Sequence, residues 1–262
     1  MKSILKRVCR LAGLEVRRIE QQSALPSSHH SKKPVFPPDF HTSEISIIEQ
    51  AQPNTMTSVE RLYALIQTVR HLESQSIEGA FVECGVWRGG SMAAAALTLL
   101  EEQRPPNREL YLYDTFEGMS EPGKNDKTLM GSDATAILAN QDPDQENSAW
   151  CKATLDIVKS VLEATHYPQP LIRYIKGKVE DTIPNSLPEK IALLRLDTDW
   201  YESTLHELTY LYPRLTSGGV IIIDDYGHWQ GARKATDEYF STLAERPLLL
   251  RIDYTARLAI KP

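Results

Sequence analysis

The sequence predicts an α/β protein built on a doubly wound, mostly parallel sheet that closes with an antiparallel C-terminal hairpin. Three observations predict it. Short and nearly continuous apolar runs recur at Ala80–Cys84, Leu110–Tyr113, Leu171–Ile175, Ile191–Leu196 and Val220–Ile223, as expected of strands covered on both faces. Helical stretches separate most of them, notably Ser91–Leu100 and Ser203–Leu215, and strand–helix–strand alternation makes a parallel sheet. The last two runs, Leu248–Ile252 and Arg257–Ile260, are joined only by Asp253 to Ala256. That link is too short for a right-handed crossover, so these strands pair antiparallel.

Bulk composition narrows the class. The 262 residues are 41% hydrophobic and 24% charged, which excludes a disordered, collagenous or coiled-coil chain and fits one large domain with an extension. Lys+Arg 29 against Asp+Glu 35 leaves a net charge of -6. No chain-wide basic field exists to bind phosphates, so no nucleic-acid partner is expected. No apolar run approaches the roughly 20 residues that span a bilayer. Cys9, Cys84 and Cys151 are odd in number and widely spaced; they read as free thiols of a reducing compartment, which implies the cytoplasm.

Residues 1–37 form a basic N-terminal segment and linker. Lys2, Lys6, Arg7, Arg10, Arg17 and Arg18 alternate with short apolar steps, without the apolar core or cleavage site of a secretory signal. Two readings are open: a basic amphipathic helix on an anionic membrane or partner, or a loosely attached surface helix. The Ser-, His-, Lys- and Pro-rich stretch after it reads as linker, with His29 and His30 solvated. Residues 38–78 read as a helical cap. Leu62, Leu65, Ile66, Val69 and Leu72 recur at helical steps, predicting a helix over Thr57–Glu73 capped by Thr57 or Ser58. The core then runs over 79–262. Its polar stretch from Thr115 to Trp150 is longer than an ordinary connection and is expected to be a lid that orders when the acceptor binds.

The first chemical motif is Phe81-Val-Glu-Cys-Gly-Val-Trp-Arg-Gly-Gly-Ser91, where a strand ends and a helix begins. Its glycines let a ligand approach the backbone, and ligands bind in this crevice of doubly wound folds. The spacing is neither G-x-G-x-x-G nor a P-loop. Glu83 disfavours a pyrophosphate but suits a cationic or hydroxyl-bearing ligand. Asp114 closes the second strand, where a carboxylate can grip the ribose hydroxyls of a nucleoside; the alternative is a turn cap. Glu180, in Lys176-Gly-Lys-Val-Glu-Asp181, follows the third strand, where an adenine edge would lie, or is a loop charge.

The strongest signal is acidic. Leu194-Arg-Leu-Asp-Thr-Asp-Trp-Tyr-Glu-Ser-Thr204 puts Asp197 and Asp199 at the end of one strand, and Gly219-Val-Ile-Ile-Ile-Asp-Asp-Tyr226 puts Asp224 and Asp225 at the end of the next. Residues two apart face one side of a strand, so Asp197 and Asp199 converge if the strand geometry continues. Four carboxylates at one sheet edge repel unless a cation neutralises them. An all-oxygen set without Cys or His favours Mg²⁺ over Zn²⁺. Tyr201, Tyr226 and Trp229 offer aromatic faces for a ligand to stack on, or complete the core. His228 is a rival base or a substrate contact, or simply structural.

A parallel sheet ending in an antiparallel hairpin is the Rossmann-like arrangement typical of class I methyltransferases. The strings VECGVWRGGSM, YDTFEGM, LRLDTDWYEST and IIIDDYGHWQGARKATDEY resemble the macrocin O-methyltransferase family, from about Pro38 to the end. The resemblance implies S-adenosylmethionine and Mg²⁺ as cofactors, a sugar hydroxyl of a glycosylated natural product or glycolipid as acceptor, and self-association into a homo-oligomer. It implies Asp197, Asp224 and Asp225 as metal ligands and Asp199 as general base. It assigns Glu83, Gly85, Ser91 and Asp114 to the methyl-donor pocket, with Met56, Ser58 and Arg61 closing over it. Two rivals stand beside this reading. Asp197-Thr198-Asp199 also spells the D-x-D of metal-dependent glycosyltransferases, which leaves Glu83 and the second acidic pair unexplained. A non-catalytic binding module of the same fold is the other, against which the complete acidic set argues.

Overall fold

The computed structural model describes residues 36–102, 106–145 and 148–262. The basic segment and nearly all of the linker expected over 1–37, with Cys9, His29 and His30, lie outside the described residues, and so does any membrane contact through them. The cap is α1 (Thr42–Ala51) and α2 (Val59–Ser74). Ser58 caps α2 by accepting the Arg61 backbone N–H at 3.2 Å, which leaves one backbone donor fewer orphaned at the helix start. The core continues through β1 (Ala80–Cys84), α3 (Gly90–Glu102), β2 (Leu110–Asp114), α4 (Ala134–Ala139), α5 (Leu155–Ala164), β3 (Ile172–Lys176), α6 (Val179–Thr182), β4 (Ile191–Leu196), α7 (Tyr201–Leu211), β5 (Leu215–Ile223), α8 (Gln230–Ser241), β6 (Leu250–Arg251) and β7 (Arg257–Ile260).

Among the described residues one sheet runs β3-β2-β1-β4-β5-β7-β6. The first five strands are parallel, and β7 joins β5 and β6 antiparallel, so the predicted fold class holds. β7 lies against β5 because the short turn reverses the chain and leaves β6 at the edge. Strand side chains alternate between two layers. Phe81, Leu112, Leu193 and Ile222 pack with α1, α2, α3 and α5. Val82, Tyr113, Leu194 and Ile221 face α7 and α8 on the other side. The order in which the chain adds strands reverses between β1 and β4, so a crevice opens at their carboxyl ends.

The differences from expectation have local causes. Helix α7 stops at Leu211, because Pro213 enters a 3-10 turn over Tyr212–Arg214 and removes a backbone donor; the strand then begins at Leu215. β6 is only two residues long, an exposed edge. The stretch over 115–150 is folded and anchored in its described part. Asp126 is buried and accepts the backbone N–H groups of Gly123 at 2.6 Å and Tyr201 at 2.8 Å. Ala134 and Leu138 pack with Trp200 and Trp229. This insertion is thereby fastened to the loops that follow β4 and β5.

Candidate active site

The β1–α3 connection is shaped by two glycines. Gly85 has φ +81°, and a Cβ on it would overlap the Asp197 carbonyl oxygen. A bare α-carbon there lets the chains leaving β1 and β4 run side by side. A Cβ on Gly90 would meet the Asn54 backbone at 2.6 Å, so the α1–α2 link packs directly on the start of α3. Ser91 is buried there, its hydroxyl 3.3 Å from that of Thr55. Asp114 Oδ2 accepts the Val86 and Trp87 backbone N–H groups at 2.6 and 3.1 Å, and its Oδ1 accepts that of Phe116 at 2.7 Å. The carboxylate thus ties the loops after β1 and β2 together. Burial pushes its carboxyl up, while those backbone donors pull the other way.

Backbone pairing extends one residue past the strands. Asp197 N–H donates to Cys84 O at 2.8 Å and Asp224 N–H to Leu196 O at 2.9 Å, which sets the acids of β4 and β5 next to one another. The strand geometry then breaks: Asp199 has φ +67°. Even so, one carboxylate oxygen each of Asp197, Asp199 and Asp225 lies within 4.8 Å of the other two. Asp225 Oδ2 is buried with no hydrogen-bond partner among the described residues.

Asp224 differs from expectation. Arg61 reaches its Oδ1 and Arg195 its Oδ2, so both oxygens already have cationic partners. Arg195, 3% exposed, also holds Glu83 Oε1 and Asp197 Oδ2, each at 2.7 Å, and donates to Thr57 Oγ1 at 3.1 Å. Burial opposes its charge, but Asp197, Asp224 and Glu83 keep it protonated. The acids of β1 and β4 are thus neutralised in part by an arginine of their own sheet, which the sequence reading did not single out. Its trace in the sequence is a guanidinium in an otherwise apolar strand. Glu83 faces this arginine and does not line the cleft. Burial raises its carboxyl to about 8, with Arg195 opposing.

Two joined cavities form the cleft. One, about 430 Å³, is lined by Gly85, Asp114, Gly118, Glu180 and Thr198. The other, about 1140 Å³ with its open mouth, holds Met56, Arg61, Ser91, Asp197, Asp199, Asp225, His228 and Trp229. Trp87, Cys151 and Thr255 also line it and were not anticipated. His228 stacks edge-on against Trp229 at 4.9 Å, and burial lowers its pKa. Tyr201 and Tyr226 line neither cavity. Their hydroxyls donate to Glu238 and Asp237 of α8 at 2.5 and 2.8 Å, so they are not the stacking faces expected of them.

The donor set fits a hard divalent cation. Five acids (Glu83, Asp197, Asp199, Asp224 and Asp225) face two guanidiniums, Arg61 and Arg195. Burial pushes Asp199 up to about 7 and Asp225 well above the usual carboxylate range, and the neighbouring aspartates add to the rise. Carboxyls this close retain a proton at neutral pH; a cation bound between them would replace it.

The chain matches the family model described as macrocin-O-methyltransferase (TylF) over residues 42–258. It is 32% identical over 186 residues, 71% of this chain and 67% of the relative, to 8-demethyl-8-(2,3-dimethoxy-alpha-L-rhamnosyl)-tetracenomycin-C 4'-O-methyltransferase of Streptomyces olivaceus. It is 28% identical over 207 residues, 78% of this chain and 74% of the relative, to demethyldecarbamoylnovobiocin O-methyltransferase of Streptomyces niveus. The solved structure of the O-methyltransferase NovP superposes with a TM-score of 0.67 at 28% identity, covering 79% of this chain and 82% of that one. Calicheamicin methyltransferase CalS11, at 18% identity and a TM-score of 0.58 over 83% of this chain and 91% of that one, shares the fold.

Proposed function

The chain belongs to the macrocin O-methyltransferase (TylF) family and is an O-methyltransferase, and on that premise we propose that it methylates a sugar hydroxyl of a glycosylated natural product or glycolipid, with S-adenosylmethionine as donor and Mg²⁺ as cofactor. The observation that carries the proposal is the convergence of Asp197, Asp199 and Asp225 in a cleft that continues past Gly85 and Asp114. The relative named as the 4'-O-methyltransferase of a rhamnosyl-bearing tetracenomycin supports the acceptor class.

Asp197 and Asp225 would hold the ion, which when bound lowers the pKa of a hydroxyl it contacts. S-adenosylmethionine supplies a methyl group on a sulfonium sulfur. Asp114, Gly85, Glu180 and Ser91 line its proposed place, where Asp114 keeps the flanking loops fixed. Asp199 stands beside the two ligand carboxylates and takes the proton of the acceptor hydroxyl. When bound, the donor would supply its methyl carbon to that oxygen, the sulfur keeping the electron pair of the carbon–sulfur bond. Proton removal of this kind is worth about 10²–10⁴-fold, and fixed positioning supplies further acceleration. Trp229 and His228 wall the acceptor side, and Met56 lies at the mouth, 49% exposed.

The test is a methyl-transfer screen against glycosylated acceptors. Activity should require S-adenosylmethionine, stop with EDTA and return with Mg²⁺. Tight binding of a nucleotide-sugar, with none of S-adenosylmethionine, would instead establish the glycosyltransferase reading.

A further inference from the structure

The residue between the two aspartates of β4 is itself anchored. Thr198 Oγ1 donates to Glu207 Oε1 at 2.9 Å. Glu207 lies on the inner face of α7, wholly buried, beneath the cleft and lining neither cavity. It shares the buried face of α7 with Leu208 and Leu211, and the Cys84 thiol lies beside it. Its second oxygen has no hydrogen-bond partner among the described residues. A carboxyl on such a face is costly, and an apolar side chain of like volume would pack there without that cost.

What the carboxyl holds is a strained segment. Asp199 is in the left-handed region with φ +67°, a conformation that persists only when its surroundings over-determine it. The backbone supplies some of that constraint: Asp197 N–H donates to Cys84 O and Trp200 N–H to Thr198 O, both at 2.8 Å. Ser203 of α7 adds a longer bond, its hydroxyl donating to the Thr198 carbonyl at 3.4 Å. None of these fixes the rotation of the Thr198 side chain; the hydroxyl–carboxyl bond does.

We propose that Glu207 is a positioning residue that sets the Asp197 and Asp199 carboxylates through Thr198, and so determines cation affinity and turnover without touching ligand. The proposal rests on the carboxylate-site reading above. Burial also raises the Glu207 carboxyl well above its ordinary range. Glutamine keeps the acceptor oxygen that the Thr198 hydroxyl uses.

The experiment compares Glu207→Gln, Glu207→Leu, Thr198→Val and the Glu207→Leu/Thr198→Val double variant in the full chain. It follows the rise in melting midpoint with magnesium chloride alone, and separately kcat and KM for S-adenosylmethionine. Glu207→Gln should titrate like the parent. Glu207→Leu and Thr198→Val should each weaken magnesium about 10–100-fold and lower kcat. Glu207→Leu, at a position that lines neither cavity, should leave KM for the donor unchanged. The double variant should be no worse than either single one. Unchanged magnesium affinity in Thr198→Val, equal damage from glutamine and leucine, or full additivity in the double variant would each overturn the proposal. Thr198→Val and Glu207→Gln keep the test decisive if leucine prevents folding. A parent protein that ignores magnesium would instead overturn the carboxylate-site reading. The Thr198–Glu207 coupling would still be measurable in the unfolding midpoints.

Discussion

Arg61, in the first turn of α2, is ion-paired with Asp224, 163 residues further along the chain at the end of β5. Arg61 also meets Asp253 of the β6–β7 turn at 3.0 Å, and Asp253 accepts the Ser58 hydroxyl at 2.8 Å. One side chain therefore joins the cap, the acid cluster and the C-terminal hairpin. Removing it leaves Asp224 with Arg195 alone. Arg61→Ala should destabilise the protein by about 3 kcal/mol, the low end for breaking a buried pair, since Arg61 is 16% exposed. It should also raise KM for the methyl donor as the cap loosens. Denaturant unfolding and steady-state kinetics measure the two effects, and a variant as stable as the parent would refute the clamp.

Asp199 is the candidate base, and its amide isostere cannot take a proton. Asp199→Asn should lower kcat by about 10²–10⁴-fold and leave donor binding by calorimetry almost intact. Full activity would transfer the role elsewhere, with His228, which lines the same cleft, the first alternative.

The acid cluster makes stability depend on pH in a definite direction. Burial raises Asp199 from 3.8 to about 7, and it raises Asp225 as well. An acid whose folded pKa exceeds its unfolded one holds its proton more tightly when folded. Its stabilisation is complete below the unfolded pKa and is lost as pH rises through the folded one. In EDTA the melting midpoint should therefore fall between pH values of about 5 and 8, and Glu83, raised to about 8, acts in the same direction. Magnesium should restore more stability at the higher pH. An equal magnesium shift at both ends of that range would contradict proton–metal exchange at this site.

Gly85 tolerates no side chain. A Cβ would strike the Asp197 carbonyl, and its φ of +81° disfavours any L-residue. Gly85→Ala should cost more than the roughly 1–3 kcal/mol of backbone strain alone, because the β4 loop has to shift too. Magnesium binding should weaken along with the melting midpoint. Normal cation affinity in a destabilised variant would separate the glycine from the carboxylate geometry.

Much of this molecule was readable in one dimension. β1, β4 and β7 have the bounds that their apolar runs predict, because strands buried in the sheet are mostly apolar, although each of these three carries one charged residue, Glu83, Arg195 or Arg257. Helix α1 and helix α8 were not read as elements. α1 buries Glu44, Ile47, Ile48 and Ala51 at helical steps, but the first of these is a carboxylate paired with the distant Arg70. α8 buries mostly small residues, Gly231, Ala232, Ala235 and Thr236 with Phe240, so both apolar stripes are weak in sequence. The polar stretch after β2 looked free in sequence; Asp126 and the contacts of Trp200 and Trp229 hold its described part down.

The order of residues by itself determined the sheet, its antiparallel close and the arrival of acids at the ends of two neighbouring strands, because these follow from apolar periodicity, link length and position along a strand. Tertiary structure alone decided which acids converge. It gave Asp224 to Arg61 and Arg195, turned Asp199 back toward Asp197 and Asp225, and took Tyr201 and Tyr226 to α8. The physical reason is range: charge pairing and hydrogen bonding act over a few ångströms, and only packing brings groups separated by 11 to 163 residues within that reach.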